Sequence, residues 1–135
     1  MAHPNHKLAR EFFAAFFGGK LTEDFFTADM RAWTTLGPME KTEYLSSLKQ
    51  VISLFDGPTA TFAYMIDAIT AEDDRVVVEI HSNGNFSDGE PYGMTYIFVL
   101  RIRDGRVASI AEHFNPIPVL EKMLPRMAPA VAKPS

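Results

Sequence analysis

A glutamate, a histidine and an asparagine lie close together at the end of one alternating stretch of the chain. Residues 107–115 read VASIAEHFN, so that Glu112, His113 and Asn115 end the run. A carboxylate and an imidazole can exchange protons near neutral pH when their surroundings adjust their pKa values, and general acid–base catalysis requires such groups. The residue types therefore indicate proton-transfer chemistry, and the elements around them decide which side chains can meet.

This stretch is the second half of a predicted β-hairpin. Residues 92–103 alternate in the same way, and Asp104-Gly105 between the two runs is a strong hairpin signal. Successive side chains of a strand point to opposite faces of the sheet. Glu112 and His113 therefore cannot both serve one pocket, and we expect a second polar residue from another strand to complete a site with Glu112.

The rest of the chain predicts helices first and then a run of antiparallel strands, which is an α+β organisation. Helix formers, capping signals and apolar residues at helical spacing predict three helices, over residues 7–17, 22–27 and 40–55. Alternating residues predict further strands, over residues 29–35, 59–70 and 75–87. Gly37-Pro38 is expected to form a turn. We expect a single domain over residues 1–135, with flexible ends at residues 1–6 and at about 125–135.

Composition excludes several classes of function. The net charge is −4 without a basic block, which argues against a nucleic-acid partner, and no apolar run approaches the roughly 18 residues of a membrane span. Cysteine is absent, and neither a phosphate-cradling glycine loop nor a metal-ligand cluster stands out, so that no cofactor and no metal are expected. The start MAHPNHK does not read as a signal peptide, and we expect a cytoplasmic protein. Eleven Phe and seven Met indicate a core or a cavity lined by large, soft side chains.

The order of these elements resembles that of the NTF2-like superfamily. The closing ladder DGRVASIAEHFNP is similar to the last strand of its SnoaL-like and ketosteroid-isomerase-like branch, which typically ends in Glu-aromatic-aromatic-Asp. Glu112, His113, Phe114 and Asn115 stand at these positions, and the resemblance covers residues 7 to about 118. It implies a cone-shaped cavity between three N-terminal helices and a curved antiparallel sheet. It also implies a homodimer formed through the sheet.

The same resemblance argues against one reaction of the branch. Steroid isomerisation uses a tyrosine on the first helix and two aspartates, and the corresponding positions here are Phe12, Thr34 and Phe98. The Asp-Arg-Asp triad of the epoxide hydrolases is not evident either. The family includes isomerases, polyketide cyclases, dehydratases and plain binding domains, so that fold alone does not settle the chemistry.

The resemblance places Glu112 in the cavity and His113 on the outer face of the sheet. Alternation along the other strands then adds His81 and Tyr96 as the catalytic partners of Glu112. His81 is expected to pair with Glu112, while Tyr96 and Asn83 are expected to donate to a carbonyl or enolate oxygen of the substrate. The expected substrate-binding residues are Trp33, Tyr64, Asn83, Met94, Phe98, Ile110, Phe114 and Phe12.

Each polar residue also has a purely structural interpretation. Glu112 can be held by a partner such as Arg31, and His81 can be a satisfied polar residue at the end of the sheet. For His113 a place on the surface or in a dimer interface is favoured over catalysis.

Two functions follow from this reading. The first is a cofactor-independent acid–base enzyme that acts on a small apolar molecule bearing a carbonyl or hydroxyl group, of the isomerase, lyase (dehydratase) or polyketide-cyclase type. The alternative is a non-catalytic module for small-molecule binding or dimerisation. In both, the expected partner is a small apolar organic ligand.

Overall fold

The computed structural model describes residues 3–127, and its helices flank a long sheet. Helix α1 is Pro4–Phe17, a single 3₁₀ turn is Glu23–Phe25, and helix α2 is Lys41–Ser53. The strands are β1 Phe26–Thr34, β2 Gly37–Glu40, β3 Thr61–Glu72, β4 Arg75–Asn85, β5 Pro91–Arg103 and β6 Arg106–Phe114. After β6 the chain is helical again, with α3 at Pro116–Pro118, a wider π turn at Val119–Met123 and α4 at Leu124–Met127. Residues 116–127 together are called the C-terminal helical segment below.

The six strands form one sheet in the order β2-β1-β6-β5-β4-β3. Neighbouring strands are antiparallel except for β1 and β6, which are parallel. The expectation of a purely antiparallel sheet is therefore wrong at one pair. A parallel pair needs a long connection, and here every element from β2 to β5 lies between the two strands in sequence.

The α+β class is confirmed, but the helices are not all N-terminal. The stretch 22–27 contains only the 3₁₀ turn, because β1 begins at Phe26 and buries every second side chain from Met30 onwards. The side chain of Thr22 makes no capping hydrogen bond. Gly37-Pro38 is not a turn but the start of the short strand β2, at the edge of the sheet, where a proline is tolerated. The third helical segment follows β6.

Helix α1 packs on the inner face of the sheet through phenylalanines. Its buried side chains are Ala9, Phe12, Phe13 and Phe16. The Phe13 ring centroid lies 4.7 Å from that of Phe98 on β5. Full burial of one such side chain is worth about 1.5–3 kcal/mol, so that this face fixes the helix on the sheet. The helix ends at Gly18, and Gly19 follows with a φ of 70°, a conformation that glycine adopts without strain.

The strand pairing decides which residues share a face of the sheet. Val78 lies opposite Phe98, and Ile80 lies opposite Tyr96, and such opposed residues of antiparallel strands point to the same side. The inner residues of β4 are Val76, Val78, Ile80 and Ser82, all of them buried. The register shifts once between β3 and β4 and once between β5 and β6. Such bulges bend and twist a sheet, which gives this one its curvature.

No helix within residues 3–127 is long and apolar enough to cross a membrane. Of the ends that were expected to be flexible, Pro4–His6 belong to α1 and residues 125–127 belong to α4. Residues 1–2 and 128–135 lie outside the described residues.

Candidate functional site

A cavity of about 250 Å³ lies between α2, the inner face of the sheet and the C-terminal helical segment. Eight aromatic side chains line it, namely Phe16, Phe17, Tyr44, Phe55, Phe62, Tyr92, Tyr96 and Phe114. Four methionines add soft surface, namely Met39, Met94, Met123 and Met127. An apolar wall with a few polar groups is typical of a site for a small organic molecule.

Glu112 on β6 faces this cavity, at the position that the resemblance implied. Burial raises the pKa of its carboxyl from the usual 4.5 to about 7, and a hydrogen bond from Tyr44 offsets part of that rise. The Tyr44 hydroxyl donates to Oε1 over 2.7 Å, whereas Oε2 accepts no hydrogen bond from residues 3–127. A carboxyl with this pKa can both accept and release a proton near neutral pH.

A protein side chain does hold Glu112, as the structural alternative expected, but the example of Arg31 as that partner is wrong. Arg31 points outward from β1 and lies 3.2 Å from a carboxylate oxygen of Glu40 on β2. The group that holds Glu112 is a neutral hydroxyl, and its effect on the pKa of the carboxyl is smaller than that of burial.

The turn between β1 and β2 fixes the backbone around Glu112. The Thr35 N–H donates to the carbonyl oxygen of Glu112 over 3.1 Å. The Thr35 hydroxyl accepts from the Phe114 N–H over 2.9 Å and donates to the Phe114 carbonyl oxygen over 3.1 Å. Because the main chain is bonded at the residue itself and two positions later, the carboxyl is presented by a rigid strand end.

Tyr44 on α2 is a functional residue that sequence reasoning missed. It is the buried residue of that helix, and burial, followed by the nearby charge of Glu112, raises the pKa of its hydroxyl well above the usual range. The hydroxyl therefore stays protonated and acts as a permanent donor to Glu112. A signal was present, since a tyrosine in the apolar stripe of a helix needs a hydrogen-bond partner when it is buried.

Tyr96 and Tyr92 lie on β5 beside Glu112. Burial, and after it the charge of Glu112, raises the pKa of both phenols. Tyr96 lines the cavity as expected, and Ser82 beneath it lowers the pKa of Tyr96 slightly without forming a hydrogen bond of good geometry. The Tyr92 hydroxyl is buried and has no hydrogen-bond partner within the described residues. Three protonated phenols thus line the same cavity as the carboxyl, one of them hydrogen-bonded to it, and Tyr92 was not anticipated from the sequence.

His81 does not face the cavity, and its expected pairing with Glu112 is wrong. It lies opposite Thr95, on the outer face of the sheet, and its Nδ1 is 2.8 Å from Oδ2 of Asp67. Asn83 has the same parity on β4 and is exposed, so that it is not a cavity residue either. The reason is the alternation on β4, where the inner face is taken by Val76, Val78 and Ile80.

Trp33 is also on the outer face and does not line the cavity. Its neighbours Ala32 and Thr34 point inward and are buried, while Trp33 is 44% exposed. Its ring centroid lies 4.9 Å from that of His113. The placement of His113 on the outer face agrees with the expectation.

The remaining expected wall residues divide into two groups. Met94 and Phe114 line the cavity, as expected. Four others share the inner side of the molecule but belong to the core around helix α1 rather than to the cavity wall, namely Phe12, Phe98, Ile110 and Tyr64. Tyr64 stacks on Phe17, with ring centroids 4.4 Å apart, and so supports a wall residue from behind.

The C-terminal helical segment closes one side of the cavity. Val119, Met123, Leu124 and Met127 contribute to its wall. Arg126 ties the segment to the loop between β4 and β5, since its Nη2 lies 2.8 Å from Oδ2 of Asp88 and its guanidinium stands 4.2 Å from the centre of the Phe86 ring. Lys122 adds a hydrogen bond of 3.3 Å to the Pro91 carbonyl oxygen.

A metal centre is not assembled in the described part of the chain. No three His, Cys, Asp or Glu side chains of residues 3–127 are placed close enough together to hold a metal ion.

Solved structures with the same fold define the class of protein. The candidate polyketide cyclase IdmH from Streptomyces antibioticus superposes with a TM-score of 0.74 at 18% identity, over 90% of this chain and 99% of that one. The candidate hydroxylase AclR from Streptomyces galilaeus gives 0.73 at 17% identity, over 91% and 94%. An NTF2-like protein from Anabaena variabilis gives 0.69 at 23% identity, over 85% and 94%. At these identities the likeness shows the NTF2-like fold alone.

The sequence assigns the chain within that class. A family model described as a SnoaL-like domain matches residues 9–110, which is most of the chain, and the chain belongs to that family. A search of curated proteins returned no match.

Proposed function

We propose that the chain is a cofactor-independent acid–base enzyme in which Glu112 moves a proton on a small apolar molecule. The observation that carries this proposal is the carboxyl of Glu112 on the wall of an apolar cavity, with a pKa of about 7 and one oxygen left free of protein donors within residues 3–127. A group whose pKa lies near the working pH combines a useful protonation state with a useful driving force for transfer.

The role of each residue follows from its contacts. Tyr44 orients the carboxyl through Oε1, so that Oε2 is the oxygen available to a ligand. As a base, Oε2 takes a proton from a carbon next to a carbonyl or from a hydroxyl, and as an acid it returns that proton to another atom of the same ligand. The Tyr96 hydroxyl, on the same wall, donates to the oxygen on which negative charge develops.

This arrangement fits isomerisation, dehydration and aldol cyclisation alike, because each needs one base and one oxyanion donor. The solved structures with this fold include a candidate polyketide cyclase and a candidate isomerase from Bacillus subtilis. The reaction class within this group is left to experiment.

The test is hydrogen exchange at an activated carbon. The purified protein is incubated with tetralone, an apolar bicyclic ketone, in deuterated buffer, and deuterium uptake is followed by NMR. The wild type is expected to accelerate exchange, and Glu112→Gln is expected to lose at least about a hundredfold of that acceleration, the usual scale of one general base. Glu11→Gln, at an exposed position on helix α1, is the matched control and retains it.

The alternative is the non-catalytic binding module. It would be supported if the wild type and Glu112→Gln bound tetralone with equal affinity and neither accelerated exchange. The apolar character of the cavity wall supports ligand binding under either outcome.

We further propose that two copies of the chain pair through the outer face of the sheet. Three large apolar side chains on that face are exposed, namely Trp33, Met65 and Ile97. Large apolar side chains that a sheet leaves exposed on one face are candidates for burial in an interface.

A further inference from the structure

Within residues 3–127, the cavity wall contains two carboxyl groups and no cationic side chain. Glu112 and Asp56 are its acidic residues, and neither lysine nor arginine is among the side chains of residues 3–127 that line it. A carboxylate withdrawn from water normally acquires a cationic partner or several donors. Among the described residues Glu112 has a single donor, Tyr44. A ligand with a positive charge would therefore supply the cationic partner that Glu112 does not find on the described cavity wall.

The aromatic side chains around Glu112 favour the same kind of ligand. Tyr44, Tyr92 and Tyr96 lie beside the carboxyl, and phenylalanines continue the wall. The face of an aromatic ring attracts a cation, more strongly when the site is shielded from water, and cages of such rings recognise organic ammonium groups. An anionic ligand would meet the carboxyl groups of Glu112 and Asp56 and no cationic side chain among the described residues that line the cavity.

We propose that the cavity binds apolar primary amines in their ammonium form, with the nitrogen at Oε2 of Glu112 and the hydrocarbon body against the methionines and phenylalanines of the wall. This goes beyond proton transfer to carbonyl or hydroxyl compounds. An amine that pairs with Glu112 occupies the base, so that it competes with the substrate and inhibits exchange.

Binding of the amine is linked to pH through Glu112. The groups that act on its carboxyl are Tyr44 on α2 and Tyr92 and Tyr96 on β5, and all three stay protonated. Asp56 lines the same cavity at an exposed position after α2. Below about pH 7 the free Glu112 is largely protonated, and pairing with an ammonium ion then requires that this proton leave. The affinity for the amine is therefore expected to rise on the order of tenfold between about pH 5.5 and about pH 7.5.

The experiment compares three ligands that share one bicyclic skeleton but differ in charge: naphthylmethylamine, naphthylmethanol and naphthoate. Dissociation constants are measured by calorimetry for the wild type, Glu112→Gln and Asp56→Asn, with Glu11→Gln on helix α1 as the control. In the wild type at neutral pH the amine is expected to bind at least about tenfold more tightly than the alcohol, and naphthoate more weakly than both. Glu112→Gln is expected to abolish the advantage of the amine while binding of the alcohol persists.

An amine that binds no more tightly than the alcohol in the wild type would overturn the proposal. The proposal would also be overturned if the amine still bound more tightly than the alcohol to Glu112→Gln. The same holds if only Asp56→Asn removed this preference for the amine. The pH dependence in the unmodified protein is an independent check, since a flat affinity for the amine across that range contradicts the pairing with Glu112. Tetralone exchange by the wild type is measured separately from amine binding. A wild type that accelerates exchange but does not prefer the amine would therefore contradict the amine proposal alone.

Discussion

The Tyr44 hydroxyl donates a hydrogen bond of 2.7 Å to Oε1 of Glu112 and thereby joins helix α2 to the last strand of the sheet. The two residues are 68 positions apart in the chain. The bond lowers the pKa of a carboxyl that burial has raised, and it determines which oxygen of that carboxyl a ligand can reach. Tyr44 is accordingly a positioning residue.

Tyr44→Phe is expected to raise the pKa of Glu112 above about 7, because the substitution removes the hydrogen bond that favours the ionised form. The midpoint of the pH profile for tetralone exchange should move to higher pH, and the Glu112 carboxyl resonance in a carbon NMR titration should move with it. Tyr64→Phe is the control, since the Tyr64 hydroxyl forms no hydrogen bond within the described residues. An unchanged midpoint in Tyr44→Phe would contradict the positioning role.

The pH dependence of stability should carry the signature of Glu112. Its pKa is raised on folding from 4.5 to about 7, so that the folded state holds the proton more firmly than the unfolded chain. The contribution of Glu112 to the free energy of unfolding is therefore fully present below about pH 4.5 and is lost as the pH rises through 7. The total loss is about 3 kcal/mol. Glu112→Gln cannot titrate and should gain stability relative to the wild type over that window.

Urea unfolding of both proteins at several pH values measures this difference. The free energy of unfolding of Glu112→Gln minus that of the wild type should increase between about pH 4.5 and about pH 8, whereas contributions from the other acids cancel. A difference that stays constant over this range would show that Glu112 is not withdrawn from water.

Arg126→Ala should loosen the C-terminal helical segment without unfolding the sheet. The substitution removes the contacts with the exposed Asp88 and with the buried ring of Phe86, and is expected to cost about 1 kcal/mol. Hydrogen exchange followed by mass spectrometry should show faster exchange in residues 116–127 and little change in β4. Lys7→Ala, which removes an exposed ion pair on α1, is the comparison. Equal protection in Arg126→Ala and the wild type would mean that Arg126 does not hold the segment.

Ile97→Lys should separate the proposed dimer. Ile97 lies at the centre of the outer face, opposite His113 on β6 and Glu79 on β4, and a charge there would have to be buried between the two copies. Light scattering should report a dimer for the wild type and a monomer for the variant, with unchanged circular dichroism. A wild type that is monomeric at all concentrations would dismiss this interface. The control is Lys49→Ala on α2, away from the sheet.

Local patterns were sufficient for the hairpin that carries the site. The hairpin of β5 and β6 was predicted from alternation and Asp104-Gly105, whereas the inward direction of Glu112 came from the family resemblance and is confirmed. The error at His81 was avoidable, since Val76, Val78 and Ile80 alternate with Glu79 and His81, and the apolar series belongs to the core.

Other parts of the site depend on contacts that no local pattern encodes. Tyr44 meets Glu112 only because α2 docks across the inner face of the sheet, so that its role was not evident from the apolar stripe of the helix. Trp33 points outward because β1 pairs in parallel with β6, and alternation along the sequence does not reveal this pairing. The helical segment after β6 was not predicted, because it contains three prolines, at positions 116, 118 and 125.

The parallel pairing of β1 with β6 also has a kinetic consequence. Strand β6 is inserted between β1 and β5, and Thr35 bonds to Phe114 across 79 positions of sequence. Contacts between such distant segments form late, because the entropy of closing the loop must be overcome before they contribute stability. We therefore expect the wall that carries Glu112 to take shape only when β1 and β6, the first and last strands along the chain, have met, which would make its formation a marker for a late step of folding.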